Sequence, residues 1–103
     1  DLAVVGVAVA LSLNSPKDRC EEGKIALGEV GPVPMRATKA EGCLKGQKLD
    51  EELISRAAIL ASEEAQPVTD IRASAGYRRE MVRVITQRAL RHAWRKLAEG
   101  GRR

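Results

Sequence analysis

The first fourteen residues, DLAVVGVAVALSLN, alternate large and small side chains. The odd positions carry large aliphatic residues, namely Val5, Val7, Val9, Leu11 and Leu13. The even positions between them carry only Gly, Ala or Ser. A two-residue period rich in β-branched residues predicts a β-strand with two different faces. We expect another element, most simply a helix, to pack closely against the small face.

A second strand is predicted after a turn. The segment NSPKDR (14–19) is rich in turn residues, and GKIALGEV (23–30) places Ile25 and Leu27 on one face of the hairpin partner. Pro32 and Pro34 then flank Val33. Because proline donates no backbone hydrogen bond and favours an extended preceding residue, this segment can form only an edge or linking strand.

Helical spacing replaces the two-residue period from Ala37 onwards. Ala37, Ala40 and Leu44 recur at helical spacing, and Gly46 is typical of a helix C-terminus. Asp50 is a preferred N-cap residue for a second helix, which we expect to end before the next proline. The apolar stripe of this second helix consists of Leu53, Ile54, Ala57, Ala58, Ala61 and Ala65.

The last helix is predicted to begin after Ser74 and to end at about Glu99. Its apolar stripe is predicted at Met81, Ile85, Ala89, Ala93 and Leu97, with Val82 and Leu90 beside it. Arg88, Arg91 and Arg95 fall on the opposite side. We therefore expect the stripe to face the sheet and the arginines to face solvent or a neighbouring subunit.

Strands followed by three helices, without βαβ alternation, predict an α+β fold. We expect a small antiparallel sheet covered on one face by about three helices. A length of 103 residues and a hydrophobic content of 44% fit a single domain with a modest core. The domain is predicted over residues 1–99, with a frayed tail at 100–103, and as a piece of a longer chain.

Charge, cysteine content and hydropathy narrow the possible classes of protein. Residues 66–103 carry a net charge of +7 and residues 1–65 a net charge of −3, so a nucleic-acid partner has to be considered. Cys20 and Cys43 form no CxxC motif, and a single His cannot complete a zinc site. We expect two free thiols in a reducing cytoplasm.

The apolar run near the start is too short for a membrane-spanning helix.

The glycine–proline segment is the first candidate site. Gly28 and Gly31 precede Pro32 and Pro34, without a dinucleotide fingerprint or a P-loop motif. Both prolines lack the backbone N–H that a phosphate would need. The segment is therefore interpreted as a rigid corner of the fold.

A denser group of polar residues surrounds the start of the last helix. It consists of Asp70, Arg72, Ser74, Tyr77 and Arg78. Asp70 or Tyr77 could handle a proton. Since no second carboxylate or His stands at a defined spacing, we favour a structural role, in which Ser74 caps the helix and Asp70 pairs with Arg72 or Arg78.

Three stretches of the chain resemble a known family: DLAVVGVAVAL (1–11), IALGEVGPVPMRATKAE (25–41) and PVTDIRASAGYRREMVRVITQRAL (67–90). They are similar to the C-terminal domain of the FAD-binding medium subunit of molybdenum hydroxylases, which include carbon monoxide dehydrogenase and xanthine dehydrogenase. The strongest parts are ALGxVxPxPxRA, which contains Arg36, and DxRxSxxYR. Gly42, where the family pattern suggests Ala, departs from it and weakens only the first helix.

The resemblance implies the last domain of a three-domain flavoprotein subunit. Such a subunit binds FAD and relays electrons between iron–sulfur clusters on a small subunit and an external acceptor, while substrate is oxidised at a molybdopterin cofactor on a large subunit. The flavin loops of the family lie in upstream domains. The resemblance therefore assigns no catalytic, cofactor-binding or metal-binding residue to this chain, which alone is expected to be inactive.

Two hypotheses of different classes follow. The first is a structural and assembly domain of such a subunit. The second is an autonomous binding module whose arginine-rich helix face recognises an acidic protein or nucleic acid. We favour the first, and with it no nucleic-acid partner and no membrane.

Overall fold

The computed structural model describes residues 6–14, 19–28, 35–65 and 75–100. These residues contain the strands β1 (Gly6–Leu13), β2 (Cys20–Gly28) and β3 (Met35–Arg36), and the helices α1 (Thr38–Leu44), α2 (Glu51–Glu64) and α3 (Ala75–Gly100). Strands followed by helices confirm the predicted α+β class. Residues 101–103 of the predicted tail lie outside the described residues, so the domain limits stay a prediction.

The three strands form one antiparallel sheet in the order β1-β2-β3. β1 and β2 are the predicted hairpin, paired from Gly6 opposite Gly28 to Leu13 opposite Cys20, with an irregularity between Ser12 and Leu13. β3 adds only two residues to the other edge of β2. The sheet is therefore a long hairpin with a short third strand that leads into α1.

The two faces of the sheet differ as the alternation predicts, but the helices cover the other face. Ile25 and Leu27 of β2 are fully buried, and the large residues of β1 pack against the core. The small residues Gly6, Ala8 and Ala10 are exposed. The expectation of a helix on the small face is therefore wrong for the described residues. Large side chains bury more apolar area against a helix, which accounts for this choice of face.

The helices form a layer over the large face. α1 packs against β2 and α2, and α3 packs against α2 and β1. The predicted stripe of α2 is confirmed, since all of its members are buried: Leu53, Ile54, Ala57, Ala58, Ala61 and Ala65. The alanines keep the helices close, and the core gains its volume from larger side chains such as Ile25, Leu44 and Leu90.

The buried line of α3 lies one position beyond the predicted stripe. Val82, Thr86 and Leu90 are fully buried at a spacing of four, and Trp94 packs against the core. The predicted stripe members are only partly buried: Met81, Ile85, Ala89, Ala93 and Leu97. The predicted stripe is therefore wrong by one position, and Thr86 belongs to the buried line because its methyl group can pack like that of Val.

Two helix ends follow the predicted capping chemistry. The backbone N–H of Leu53 donates to Oδ1 of Asp50 at 2.7 Å, which confirms Asp50 as the N-cap of α2. Gly46 lies just after α1 with a φ of 78°, a left-handed conformation that glycine adopts without steric cost. The short connection between α1 and α2 is thus fixed at both ends.

Candidate functional site

The structure describes four of the ten residues singled out in the sequence: Gly28, Arg36, Tyr77 and Arg78. The other six lie outside the described residues: Gly31, Pro32, Pro34, Asp70, Arg72 and Ser74. The rigid corner, the Asp70 ion pair and the Ser74 cap therefore stay predictions. Gly28 ends β2, and Arg36, the last residue of β3, pairs with Ala26 of β2.

Arg36 is held by a carboxylate from α1. Its Nε donates to Oε2 of Glu41 at 2.5 Å, and its Nη2 donates to Oε1 at 2.9 Å. The same Glu41 Oε2 accepts the backbone N–H of Ile25 from β2 at 2.8 Å. One side chain of α1 therefore joins β2 and β3, and a two-bond contact of this kind fixes orientation as well as adding energy.

The geometry of the sheet explains why a carboxylate is needed at this point. The ladder between β2 and β3 ends at Arg36, and the next N–H, that of Ala37, donates to the carbonyl of Ile25 at 2.9 Å. The chain then turns into α1, so the N–H of Ile25 has no strand partner. Glu41 accepts that hydrogen bond in place of a strand, and a buried backbone N–H is not left unpaired.

Hydrogen bonding lowers the pKa of Glu41. The main cause is the hydrogen bond from Arg36, with a further contribution from the N–H of Ile25, and partial burial opposes both. The same contact raises the pKa of Arg36. Both groups are therefore fully charged at neutral pH, and neither is suited to exchange a proton with a substrate there.

A second carboxylate caps α1 from a distant part of the chain. Ala37, the N-cap residue of α1, offers no side-chain hydrogen bond. Glu64, at the end of α2, instead accepts the backbone N–H groups of Lys39 at 3.0 Å and Ala40 at 2.8 Å. Sequence reasoning missed this cap. Thr38 at the helix start suggests a local cap, and only the structure shows that the N-cap position falls on Ala37, so that the cap has to come from elsewhere.

Two of the arginines of α3 form ion pairs with glutamates. Arg91 is partly buried, and its Nε lies 3.0 Å from Oε1 of Glu51 on α2. Arg83 pairs with Glu80 one turn earlier on the same helix. The prediction that Arg91 points outward is thus correct only in part, because it also joins α3 to α2.

Arg88 and Arg95 are exposed as predicted, and in the described part of the chain neither forms an ion pair. His92 is exposed between them. A cleft beside Arg88 and Arg91 has a volume of about 210 Å³. This is smaller than the roughly 300–1,000 Å³ of typical small-molecule sites.

The two cysteines are the remaining potentially reactive groups among the described residues. Cys20 is buried, Cys43 is partly buried, and both are free thiols, as predicted. Burial raises the pKa of both thiols, so they are poor nucleophiles at neutral pH. Among the described residues, no three potential ligands lie close enough to hold a metal ion, and no helix is long and apolar enough to cross a membrane.

The family of the chain follows from its sequence together with this fold. Residues 1–93 match the CO dehydrogenase flavoprotein C-terminal domain. The chain therefore belongs to this family, which is the C-terminal domain of the medium subunit of molybdenum hydroxylases. This confirms the resemblance seen in the two motifs.

Relatives with known names agree. The chain is 36% identical to the glyceraldehyde dehydrogenase medium chain of Sulfolobus acidocaldarius over 91 residues, covering 88% of this chain and 32% of the relative. It is 33% identical to the carbon monoxide dehydrogenase medium chain of Afipia carboxidovorans, covering 90% of this chain and 32% of the relative. The chain thus spans about one third of the length of these medium chains.

Solved structures share the fold. Quinoline 2-oxidoreductase from Pseudomonas putida 86 superposes with a TM-score of 0.84 and 35% identity, covering 93% of this chain and 33% of that one. Carbon monoxide dehydrogenase from Hydrogenophaga pseudoflava, in a form that lacks the Mo-pyranopterin moiety of the molybdenum cofactor, superposes with a TM-score of 0.81 and 32% identity, covering 88% of this chain and 31% of that one. Both structures support the sheet-and-helix architecture described above.

Proposed function

We propose that this chain is the C-terminal structural and assembly domain of an FAD-binding medium subunit. In the complete subunit, FAD relays electrons between iron–sulfur clusters of a small subunit and an external acceptor. A large subunit with a molybdopterin cofactor oxidises the substrate. The observation that carries the proposal is the family match over residues 1–93. The cytoplasm, which keeps thiols such as Cys20 and Cys43 reduced, is the proposed location.

The described polar residues support a structural role for this domain. Arg36, the motif arginine, is held by Glu41, and Glu64 and Asp50 cap helices. These charged groups are already engaged within the domain. The domain would therefore contribute shape and stability to the subunit, and the redox chemistry would take place elsewhere.

The N-termini of α1 and α2 are unsuited to the pyrophosphate of FAD. A flavin nucleotide places its pyrophosphate on free backbone N–H groups, commonly at a helix N-terminus. The first turn of α1 already donates to the carboxylate of Glu64, and that of α2 donates to Asp50. A pyrophosphate at either position would meet a carboxylate and be repelled. We therefore assign FAD binding to the other domains of the medium subunit.

A chimera tests the proposal. The C-terminal third of the medium chain of the Hydrogenophaga carbon monoxide dehydrogenase is replaced by this chain and produced with the other subunits of that enzyme. We expect the chimera to assemble and to retain FAD, whereas the medium chain truncated before its C-terminal third should lose both properties. A chimera that behaves like the truncated protein would overturn the proposal.

The exposed arginines of α3 favour a second candidate, a module that binds an acidic protein or nucleic acid. Arg88 and Arg95 have no ion-pair partner among the described residues. Nucleic-acid binding would give strongly salt-dependent retention on immobilised DNA, which replacement of both arginines by glutamine would weaken. Retention that is independent of these arginines, or absent at low salt, would argue against this candidate.

A further inference from the structure

The face of the sheet away from the helices carries a patch of very small side chains. We define the open sheet face as Gly6, Ala8 and Ala10 of β1 with Ala26 and Gly28 of β2. The three β1 residues are exposed, and the two β2 residues are partly exposed. In the register, Gly6 lies opposite Gly28 and Ala8 opposite Ala26. The result is a continuous patch on which no side chain extends beyond a methyl group.

The two glycines of this patch are not required by the described part of the domain. A Cβ added at Gly6 would meet only the carbonyl oxygen of Gly28, at 3.9 Å. A Cβ added at Gly28 would meet only the carbonyl oxygen of Gly6, also at 3.9 Å. Among the described glycines, only Gly46 has a positive φ. Glycine weakens a strand and often marks a place where another backbone approaches closely. The glycine pair therefore suits a neighbour on the outside of the sheet.

The edge strand also lacks the features that keep edges apart in an isolated domain. β1 reads GVAVALSL, eight residues without a charge or a proline. Exposed edge strands are normally protected by lysine, proline or a covering element. The described charged residues of this face lie towards its rim, at Glu22 and Lys24 of β2 and at Arg36 of β3. An apolar centre with a charged rim is the usual arrangement of a protein–protein contact.

We propose that the open sheet face is the surface on which the rest of the medium subunit docks, with its flavin-binding portion lying against Gly6, Ala8, Ala26 and Gly28. This inference rests on the proposed function. The occupant follows from length, because this C-terminal family domain accounts for only about one third of its relatives. The remaining two thirds of such a subunit must contact the domain somewhere, and the helix-covered face is already filled by α1, α2 and α3.

Cysteine footprinting in the chimera tests the docking surface. Ala8→Cys is introduced into a Cys43→Ser background of this chain, both alone and within the chimera described above. Alkylation at residue 8 is followed by peptide mass spectrometry. We expect Ala8→Cys to react at least about tenfold more slowly in the FAD-containing chimera than in the isolated chain, since burial blocks thiolate attack. Lys48→Cys, on the exposed α1–α2 connection, is the control for general reactivity in the isolated chain.

The outcomes separate the two proposals. A chimera that neither assembles nor retains FAD overturns the proposed function, and the docking surface with it. A chimera that retains FAD while Ala8→Cys reacts as fast as in the isolated chain overturns the docking surface alone. Slow alkylation of Ala8→Cys in the isolated chain, at a rate that dilution increases, would mean that a second copy occupies the face, and this result also contradicts the proposal.

Discussion

The Glu41 carboxylate carries more connections than any other single side chain in the β3–α1 region. It accepts one backbone hydrogen bond from β2 and two side-chain hydrogen bonds from Arg36. The Glu41 side chain is 13% exposed, whereas that of Arg36 is 51% exposed. The bond to Ile25 is therefore shielded, and the ion pair is partly screened by solvent.

We expect Glu41→Gln to destabilise the domain by about 1 kcal/mol at neutral pH, because the amide keeps an acceptor for Ile25 but loses the charge that binds Arg36. Urea unfolding measures the loss. Glu52→Gln is the matched control, since Glu52 is 84% exposed and lies 3.7 Å from Arg56. An equal loss of stability in both variants would show that the Arg36–Glu41 contact stabilises the domain no more than an exposed ion pair does.

The stability difference between the wild-type domain and Glu41→Gln should also depend on pH. The pKa of Glu41 is lowered from 4.5 in the folded state, so its contribution is fully present above the unfolded pKa and is lost as the pH falls through the folded pKa. We expect the stability difference between wild type and Glu41→Gln to vanish below that pKa. A difference that persists in strong acid would mean that charge is not its origin.

At the scale of elements, α1 depends on α2 for its first hydrogen bonds. Glu64→Ala should cost about 1 kcal/mol, because two backbone N–H groups of α1 lose their acceptor and the positive end of the helix loses a nearby charge. Hydrogen exchange should also speed up at Lys39 and Ala40. Glu63→Ala, an exposed neighbour, should change neither stability nor exchange. Unchanged exchange at Lys39 and Ala40 in Glu64→Ala would contradict the cap.

The buried line on α3 predicts which of its apolar residues contribute most to stability. Leu90 is fully buried, so Leu90→Ala should cost about 2–4 kcal/mol by leaving a cavity. Ile85 is only partly buried, and Ile85→Ala should cost clearly less. Thermal or urea unfolding of the two variants compares them directly. A larger loss of stability in Ile85→Ala than in Leu90→Ala would support the stripe predicted from the sequence and contradict the buried line through Leu90.

The whole molecule shows which parts of the fold its sequence could predict. The hairpin, Asp50, Gly46 and the stripe of α2 depend on local periodicity and capping, and each was predicted correctly. The covered face of the sheet, the Glu64 cap and the role of Glu41 depend on residues 16 or more positions apart that meet only after packing. Local patterns carry no information about such pairs.

The charge pattern of the molecule bears on the cofactor as well. Both helix N-termini whose capping is described hold a carboxylate, from Glu64 or Asp50, at the position where a phosphate would bind. A dinucleotide would have to displace an internal hydrogen bond to a carboxylate at either place. Electrostatics therefore disfavours a pyrophosphate at the N-termini of α1 and α2.

We accordingly expect the purified chain to be colourless and inactive, and titration with FAD to leave both the flavin fluorescence and the melting temperature unchanged. A ligand that binds only the folded state must raise the melting temperature increasingly as its concentration exceeds Kd, so this measurement is independent of flavin fluorescence. The FAD-containing chimera serves as the positive control for fluorescence. Quenched flavin fluorescence together with a raised melting temperature in the isolated chain would place a flavin site within these 103 residues. The assignment of FAD to the remainder of the subunit would then be wrong.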